Sequence, residues 1–428
     1  MSIEPSRSAA PHVAVLGSGP SGFYAAQMLR KQWPSAEITI FDRLPVPFGL
    51  LRYGVAPDHQ HTKQLTHQFS RVLQDAGTRF AGNVDVGETV TLEELRQNYH
   101  VVVLAAGLSA DRRLGIPGDA TPGVYGAGQF MRWLNAHPDE EHFQPTLGDR
   151  TVVVGTGNVA IDVLRMLIND DRQFANSDVH EPALAALSLS RPRRIHVVGR
   201  SDAGHAKFDA AMIRELAELT DVAYTVDTLD TAEPDRDSAA KLEALRGLAE
   251  RDVRDARIAV SFHFGWSPQA VVGSAQTTGI TFVGRDGETE LVLETDSVIT
   301  AIGFEVDAAS ALASYSAGEP ALDLDRVRLG EGLYSCGWFR RGASGSIATN
   351  RACAKSVVGQ IAADFDLTAL PPRRGYEGLP VEARARAVGA DGWQRIDAFE
   401  VADRGDSRVR RKIGSYPALL LAARSNKF

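Results

Sequence analysis

Three glycines near the start of the chain have the spacing that binds the phosphates of a dinucleotide. The pattern G-x-G-x-x-G is formed by Gly17, Gly19 and Gly22, directly after the apolar run HVAVL. The first glycine allows a tight turn, the second lets a pyrophosphate approach the backbone, and the third lets a helix pack on the strand. The free N–H groups at the start of that helix then face the phosphates. The segment therefore predicts a dinucleotide site.

A carboxylate and a distant glycine-rich segment favour FAD as the ligand of this first site. Asp42 ends the apolar run EITIFD, where a carboxylate can accept hydrogen bonds from the ribose hydroxyls. Far downstream, residues 332–354 repeat a strand, a glycine-rich turn and a helix start. A second surface of this kind is expected for a long, bound cofactor whose ring needs cover. A plain glycine-rich turn is the alternative interpretation.

A second glycine pattern predicts a second nucleotide site. In the segment GTGNVAID, the pattern G-x-G-x-x-A is formed by Gly155, Gly157 and Ala160, after the apolar run TVVV. Two such units in one chain are typical of flavoproteins that bind two dinucleotides.

The residues after the next apolar run bear on which nicotinamide coenzyme binds. The run RIHVVGR ends at Arg200, and an arginine at this position accommodates the 2′-phosphate of NADP, whereas a carboxylate selects NAD. The sequence therefore predicts NADP. NAD stays an alternative, because a neutral Ser201 and an acidic Asp202 follow the arginine. His205 and Lys207 compensate in part if the loop folds back.

Runs of β-branched residues that end in glycine indicate the elements that position these segments. Continuous apolar strands followed by helical patterns are typical of buried parallel sheets. The predicted fold class is α/β, with two Rossmann-like three-layer domains and the NADP domain inserted in the FAD domain. The FAD domain is expected at 1–107 and 331–428, and the NAD(P)-binding domain at 108–330. The tail beyond 370, richer in proline and arginine, is expected to wrap the surface.

The composition argues against several other classes of protein. A net charge of −8 argues against nucleic acid as the main partner. No apolar run reaches the roughly 18 residues of a membrane span, and the polar segment 1–12 is not a secretory signal, so a cytoplasmic protein is expected. With only two cysteines, Cys336 and Cys353, the sequence contains no disulfide framework and no Cys-x-x-Cys relay. No metal site is predicted.

Four segments add to the glycine patterns: PVPFGLLRYGVAPDH (45–59), RWLNAHPD (132–139), GTGNVAIDVLR (155–165) and GWFRRGASGSIATN (337–350). Together, over nearly the whole chain, they resemble the adrenodoxin-reductase-like ferredoxin–NADP(+) reductases. The resemblance implies an FAD-dependent NADPH:ferredoxin oxidoreductase. In that family hydride passes from NADPH to FAD, and single electrons then pass to an iron–sulfur protein such as a ferredoxin.

The resemblance also assigns roles to single residues. It implies that His59 and Glu215 face each other as the catalytic pair, and that Trp338 shields the flavin ring. The alternatives are a loop-capping histidine, a solvated helix face and a core tryptophan. The residues expected at FAD are Gly17, Gly19, Ser21, Gly22, Asp42, Leu50, Val84, Trp338, Gly345, Ser346 and Ile347. The residues expected at NADP are Gly155, Gly157, Asn158, Val159, Ala160, Arg200 and again Gly345.

This sequence departs from the family pattern at three places. The second arginine expected after Arg200 is replaced by Ser201, and the position of a family glutamate that holds a ribose falls near Met212. In the glycine-rich turn, residues that are often proline or glycine in the family are here Ala343, Ser344, Ser346 and Ala348. Weaker cofactor contacts are expected at these places.

The expected partner is a small acidic iron–sulfur ferredoxin, which docks on an arginine-rich face at 191–194 or 340–341. Local positive charge speeds such association. A cytochrome P450 is one onward acceptor, and neither nucleic acid nor membrane is expected as a partner. Three other functions compete. They are the electron-input subunit of an amidotransferase-type complex, for which two cysteines are too few, a flavin monooxygenase and a non-catalytic flavin-bound redox sensor.

Overall fold

The chain forms two units, one of which interrupts the other in sequence. The computed structural model describes residues 10–227, 229, 234–315, 327–405 and 407–425. The first unit comprises Met1–Val55, His59–Ala110 and Phe304–Phe428, and the second comprises Ala56–Asp58 and Asp111–Gly303. The domain ranges 1–107, 108–330 and 331–428 stay a prediction.

The strands of the described residues are β1 (His12–Leu16), β2 (Glu37–Phe41), β3 (Thr78–Ala81), β4 (Val101–Leu104), β5 (Ala110–Asp111), β6 (Val124–Gly126), β7 (Arg150–Val154), β8 (Arg194–Gly199), β9 (Val222–Val226), β10 (Ile258–Phe264), β11 (Trp266–Val272), β12 (Gly279–Gly284), β13 (Glu290–Glu294), β14 (Ser297–Thr300), β15 (Phe304–Glu305), β16 (Arg328–Gly330) and β17 (Leu333–Ser335).

The helices of the same residues are α1 (Pro20–Gln32), α2 (Leu50–Tyr53), α3 (Gln60–Lys63), α4 (Leu65–Leu73), α5 (Leu92–Asn98), α6 (Ala127–Leu134), α7 (Asn158–Ile168), α8 (Glu181–Leu189), α9 (Ala210–Leu216), α10 (Arg236–Ala249), α11 (Trp338–Arg341), α12 (Ile347–Asp364), α13 (Val381–Arg386), α14 (Ala390–Ala402) and α15 (Tyr416–Arg424). Short 3-10 helices lie at Pro138–Glu140, Ala313–Tyr315, Leu367–Ala369 and Gly375–Gly378. None of the helices in this described part of the chain combines the length and apolar character needed to cross a bilayer.

The first unit is built on a six-stranded sheet with the order β16-β17-β4-β1-β2-β3. Strand β16 is antiparallel to β17, and the other neighbours are parallel. In β1, Val13 and Val15 belong to one buried cluster, while Ala14 and Leu16 belong to another. Both faces of the strand are therefore covered, which is why its sequence is continuously apolar.

The second unit has three layers. Its central sheet, with the order β6-β14-β7-β8-β10-β9, is parallel throughout. In β7, Val153 packs in a cluster with Ile161 of α7 on the helical face. Val152 and Val154 pack in a cluster with Phe282 of the antiparallel sheet β11-β12-β13 on the other face. The predicted α/β class with two Rossmann-like domains is confirmed.

The residues after 370 join the core of the first unit, and the expectation that they wrap its surface is wrong. Trp393, Ile396 and Leu419 are buried in the same cluster as the strand residue Val13. Helices α14 and α15 pack against each other. The reason is that the tail places apolar residues at helical spacing among its arginines, and such a stripe is buried against the sheet.

A buried ion pair joins this tail to α2. Arg52 Nη2 donates to Glu400 Oε1 at 2.5 Å, and the two side chains are 4% and 0% exposed. Glu400 also accepts the Ile413 N–H at 2.9 Å, and Lys412 Nζ donates to the Arg52 carbonyl at 3.0 Å. A charge removed from water in this way is destabilising unless it is paired, and Glu400 supplies the opposite charge for Arg52.

We expect Glu400→Ala to lower the free energy of unfolding by about 3–5 kcal/mol, because the Arg52 guanidinium then stays buried without its partner. Urea denaturation measures the loss. The control is Glu294→Ala, which breaks the Arg150–Glu294 pair of equal length (2.5 Å) whose glutamate is 80% exposed. Removing an exposed partner should cost at most about 1 kcal/mol. Equal losses in the two variants would contradict the assigned role of burial.

Candidate dinucleotide-binding sites

The first glycine turn joins β1 to α1, and its packing requires glycine at two of three positions. Gly17 has a φ of +110°, and a Cβ on it would collide with the Ala105 carbonyl. A Cβ on Gly22 would collide with the carbonyl oxygen of Gly17. A Cβ on Gly19 would have no described atom within 4 Å. The turn is therefore closed on its protein side and open at Gly19, where a pyrophosphate can approach the backbone.

Asp42 directly follows β2 and lies beside this turn. Its carboxylate accepts the backbone N–H groups of Ser18 at 2.9 Å and Leu44 at 3.0 Å, and also the Ser18 hydroxyl. Burial raises the pKa of Asp42, and these hydrogen bonds oppose the shift. The carboxylate thus holds the glycine turn in place, and its contact with a ribose stays a prediction.

The glycine-rich return after β17 lies in the same unit as the first turn. Gly337, with a φ of +71°, approaches Ser21 so closely that a Cβ on it would collide with the Ser21 hydroxyl. Trp338 begins α11 and stacks on Phe304, with ring centroids 5.8 Å apart. The Trp338 Nε1 is buried and makes no hydrogen bond within the described residues. Buried donors are normally paired, so a ligand group is expected at this indole.

The other residues predicted at FAD also lie in this unit. Leu50 begins α2 and is half-buried, whereas Val84 is buried and donates its N–H to the Asp42 carbonyl at 2.9 Å. Gly345, with a φ of +82°, and Ser346 are exposed just before α12, which begins at Ile347. An open glycine turn lies in one unit with an indole N–H that has no partner among the described residues. Together they fit a ligand that combines a pyrophosphate with a planar ring, as FAD does.

The second glycine turn, between β7 and α7, repeats this geometry. Gly155 has a φ of +131°, and a Cβ on it would collide with the Ala301 carbonyl. A Cβ on Gly157 would meet only the Lys207 Cβ among the described atoms, at 3.9 Å. Ala160, in the third position, is fully buried in the core. This turn is also open at its second glycine, and the loop after β8 folds back beside it.

The side chains of Asn158 and Val159 are engaged within the second unit. Asn158 Nδ2 donates to Asp209 Oδ2 at 2.9 Å, and Asn158 Oδ1 accepts the Asp209 N–H at 2.8 Å. Val159 packs on the core. We therefore expect both residues to contact NADP through their backbone N–H groups, which lie at the start of α7.

Arg200 and Asp202, just after β8, differ in their surroundings. Arg200 is exposed, and its guanidinium makes no hydrogen bond or ion pair within the described residues. Asp202 accepts the His205 N–H at 2.9 Å and the His205 Nδ1 at 2.7 Å, and both Nη atoms of Arg285 lie 3.3 Å from it. Partial burial raises the pKa of Asp202, but the hydrogen bonds from His205 outweigh it and hold this pKa below its usual value. Sequence reasoning missed Arg285, because no local pattern marks it.

The predicted catalytic residues His59 and Glu215 belong to different units, and their pairing stays a prediction. His59 is half-buried and directly precedes α3, while Glu215 is exposed on α9. Met212, near the position of the family glutamate that holds a ribose, is buried in the core of the second unit.

A carboxylate that the sequence analysis missed lies on α7. Arg165 donates one hydrogen bond from Nη1 to Asp162, at 3.0 Å, and another from Nη2 to Asp58. Burial raises the pKa of Asp162 to about 7, with Arg165 opposing this shift and the charges of Asp58 and Glu215 adding to it. An acid with a pKa of about 7 therefore lies within electrostatic reach of Glu215. Its only sequence signal was its place in the segment 155–165.

Two glycine turns of this kind, one in each unit, define the class of oxidoreductases that bind two dinucleotides. The family model for pyridine nucleotide-disulphide oxidoreductase matches residues 11–323. The chain is 47% identical to the cindoxin reductase of Citrobacter braakii, over 97% of this chain and 92% of that protein. It is 34% identical to the mitochondrial NADPH:adrenodoxin oxidoreductase of Arabidopsis thaliana, over 96% and 95% of the two chains.

A solved structure shows the same fold. Mycobacterium tuberculosis FprA in complex with NADPH matches with a TM-score of 0.90 and 31% identity, over 97% of this chain and 100% of that chain. The chain belongs to the pyridine nucleotide-disulphide oxidoreductase family and, within it, to the adrenodoxin-reductase-like ferredoxin–NADP(+) reductases. The resemblance found in the sequence is confirmed.

We expect Gly19→Ala to reduce FAD retention at least tenfold without loss of stability, because its Cβ would occupy the open space that the pyrophosphate needs. Gly22→Ala should instead lower the free energy of unfolding by about 1–3 kcal/mol, since its Cβ overlaps the turn. FAD content per chain and urea denaturation of the apoprotein measure the two effects. The control Gly359→Ala, in α12 with open space around it, should change neither for the worse. Full FAD content in Gly19→Ala would show that the pyrophosphate does not bind there.

We expect Asp162 to make the protein less stable as the pH rises from 3.8 to about 7. In this range the folded protein keeps a proton that the unfolded chain has released, so unfolding becomes easier with rising pH. Asp162→Asn should remove this contribution, and urea denaturation at a series of pH values measures it. Asp252→Asn, at a 78% exposed carboxylate, is the control. Parallel profiles for the wild type and Asp162→Asn would refute the assignment.

Proposed function

We propose that this protein is an FAD-dependent NADPH:ferredoxin oxidoreductase, which takes hydride from NADPH and passes single electrons to a small iron–sulfur protein. The observation that carries the proposal is the pair of open glycine turns, at Gly19 and Gly157, in two units of one chain. Relatives named cindoxin reductase, NADPH:adrenodoxin oxidoreductase and NADPH-ferredoxin reductase support the same reaction.

The first unit is the proposed FAD domain. FAD, when bound, supplies the conversion from a two-electron hydride donor to a one-electron acceptor. The chain's own part is to hold the pyrophosphate at Gly19 and at the first N–H groups of α1. Asp42 lies beside the ribose in this proposal, and Trp338 covers the ring. The indole N–H of Trp338 is buried and has no partner in the part of the chain that the structure describes, which supports this placement.

His59 and Glu215 carry the proton traffic in this proposal. An imidazole can exchange a proton near neutral pH, and a carboxylate can orient it. Family membership and the match of the segment 56–59 (APDH) support the role of His59. Asp162 lies within electrostatic reach of Glu215 and adds a carboxyl group that titrates close to neutral pH.

NADPH is the proposed hydride donor, with NADH as a weaker alternative. The Arg200 guanidinium, at the end of β8, makes no hydrogen bond or ion pair among the described residues. This supports the choice, because an arginine there accommodates a 2′-phosphate. The carboxylate of Asp202 would oppose the phosphate if it were bare, but it is hydrogen-bonded to His205.

The proposed partner is a small acidic iron–sulfur protein that docks at Arg340 and Arg341. These arginines lie on α11 together with Trp338. Both are half-buried, and they contact Cys353 Sγ (Arg340, 3.7 Å) and Asn350 Oδ1 (Arg341, 2.7 Å). In the other predicted cluster, Arg191 turns inward to the Asn169 carbonyl, while Arg193 and Arg194 are exposed. In this proposal Trp338 covers the flavin ring, so electrons that pass from the flavin to the partner leave through the face next to Trp338. A cytochrome P450 as onward acceptor and a cytoplasmic location complete the proposal.

Anaerobic titration of the yellow holoprotein with each nicotinamide tests this function. We expect NADPH to bleach the flavin, and ferredoxin to reoxidise it at a rate that falls as ionic strength rises. Arg340→Ala should weaken the salt dependence, with Arg254→Ala as an exposed control. Failure of both nicotinamides to bleach the flavin would favour a redox sensor. NADPH oxidation that needs both oxygen and an organic substrate would favour a monooxygenase.

We expect Arg200→Ala to raise KM for NADPH and to leave KM for NADH almost unchanged. A charged hydrogen bond contributes about 1.5–3 kcal/mol, which corresponds to roughly 10- to 150-fold in affinity. Ser201→Arg should sharpen the preference for NADPH. Steady-state reduction of an artificial acceptor with both coenzymes measures these effects. A wild type that uses NADH better, or an Arg200→Ala variant that loses both coenzymes equally, would overturn the assignment.

A further inference from the structure

Arg285 reaches from a hairpin of the second unit to the end of β8. It follows β12, in the turn that leads to β13. Its Nε donates to the Arg200 carbonyl at 3.4 Å, and its two Nη atoms lie 3.3 Å from Asp202 Oδ2. Its side chain is 54% exposed. The guanidinium is therefore held at the strand end and still presents a face to solvent.

The turn between β10 and β11 also contacts this group. The Gly265 N–H donates to the Ser201 carbonyl at 3.0 Å, and Gly265 has a φ of +84°. A Cβ on Gly265 would lie 3.6 Å from the Arg285 Nε. Arg285 thus lies against the backbone of two turns that end strands of the unit, so its position is defined by the fold as well as by Asp202.

Asp202 holds the guanidinium of Arg285 in place. It receives two hydrogen bonds from His205, at 2.9 Å and 2.7 Å, in addition to the two contacts from Arg285. A bare carboxylate after this strand would select NAD by binding the ribose 2′-hydroxyl. Here Asp202, the residue after Ser201, instead holds the guanidinium of Arg285. The second arginine of the family pattern is missing at position 201.

We propose that Arg285 is the second cationic contact for the 2′-phosphate of NADPH, beside Arg200, and that Asp202 is its positioning residue. This inference rests on the proposed function and names a specificity-determining residue for it. Two guanidinium groups can bind the phosphate oxygens through charge-assisted hydrogen bonds, which a serine at position 201 cannot match. Arg285, which is distant in sequence, thereby takes the role of the second arginine that follows Arg200 in the family pattern.

Binding of adenosine 2′,5′-bisphosphate to the holoprotein, measured by calorimetry, tests the contact without turnover. Arg285→Ala should weaken this binding at least tenfold and leave that of adenosine 5′-monophosphate unchanged. Arg285→Lys, which keeps the charge and loses the planar fork, should recover part of it. The control Arg254→Ala, at an 88% exposed arginine of the same unit, should have no effect. Equal loss for both nucleotides would overturn the proposal, because it would indicate a purely structural role.

A double variant separates contact from simple neutralisation of Asp202. If Arg285 only masks that carboxylate, Asp202→Asn/Arg285→Ala should regain wild-type affinity for the bisphosphate, and the proposal fails. If Arg285 touches the phosphate, the double variant should stay at least several-fold weaker. In steady state the contact predicts a higher KM for NADPH with unchanged kcat.

The same proteins distinguish a failure of this inference from a failure of the proposed function. Flavin reduction by NADPH that does not depend on Arg285, together with bisphosphate binding that does not depend on it, would overturn the inference and leave the function intact. Bisphosphate binding that depends on Arg285, in a holoprotein that neither nicotinamide reduces, would support the site and overturn the function.

Discussion

The tight turn from a parallel strand into its helix is the constraint on which both units depend. In each turn a glycine with positive φ donates its N–H to the neighbouring strand: Gly17 to the Phe41 carbonyl and Gly155 to the Val198 carbonyl, both at 2.8 Å. These bonds place the start of the helix at the carboxyl edge of the sheet, where its free N–H groups carry a partial positive charge. Each candidate phosphate site is therefore a consequence of strand packing.

The carboxylates next to the two turns are held by donors of the protein itself. Asp42 is held by Ser18 and Leu44, which are its neighbours in the turn and after the strand. Asp202 is held by His205 and by the distant Arg285. A bare carboxylate near either helix start would repel a phosphate, since like charges at short range interact strongly where solvent is partly excluded. In the first unit both donors, Ser18 and Leu44, belong to the turn or lie close to Asp42 in sequence. In the second unit the distant Arg285 joins His205, which is three residues from Asp202.

The first unit is assembled from segments far apart in sequence. Strand β17 pairs with β4 in parallel, with Leu333 opposite Val102, and this pairing returns the chain to the sheet that contains β1. Trp338, three residues after β17, consequently lies in the unit that holds the first glycine turn. The tail then adds the buried Arg52–Glu400 pair and its apolar stripe to the same core. Inserting the second unit therefore does not divide the sheet, because parallel pairing joins its parts.

From the sequence alone, several apolar runs that end in glycine predicted the α/β class, and four segments spread over nearly the whole chain indicated the family. The two glycine turns could be predicted because each depends on residues within one strand–turn–helix segment. Arg200 was readable for the same reason, as it ends the strand after the second turn. The contact of Arg285 with the end of β8 appears only in the folded chain, since Arg285 lies 85 positions after Arg200 and no local pattern encodes the contact. The raised pKa of Asp162 likewise depends on burial and on charges from other segments. Local patterns specify backbone turns, whereas the electrostatic surroundings of a side chain arise only when distant segments pack together.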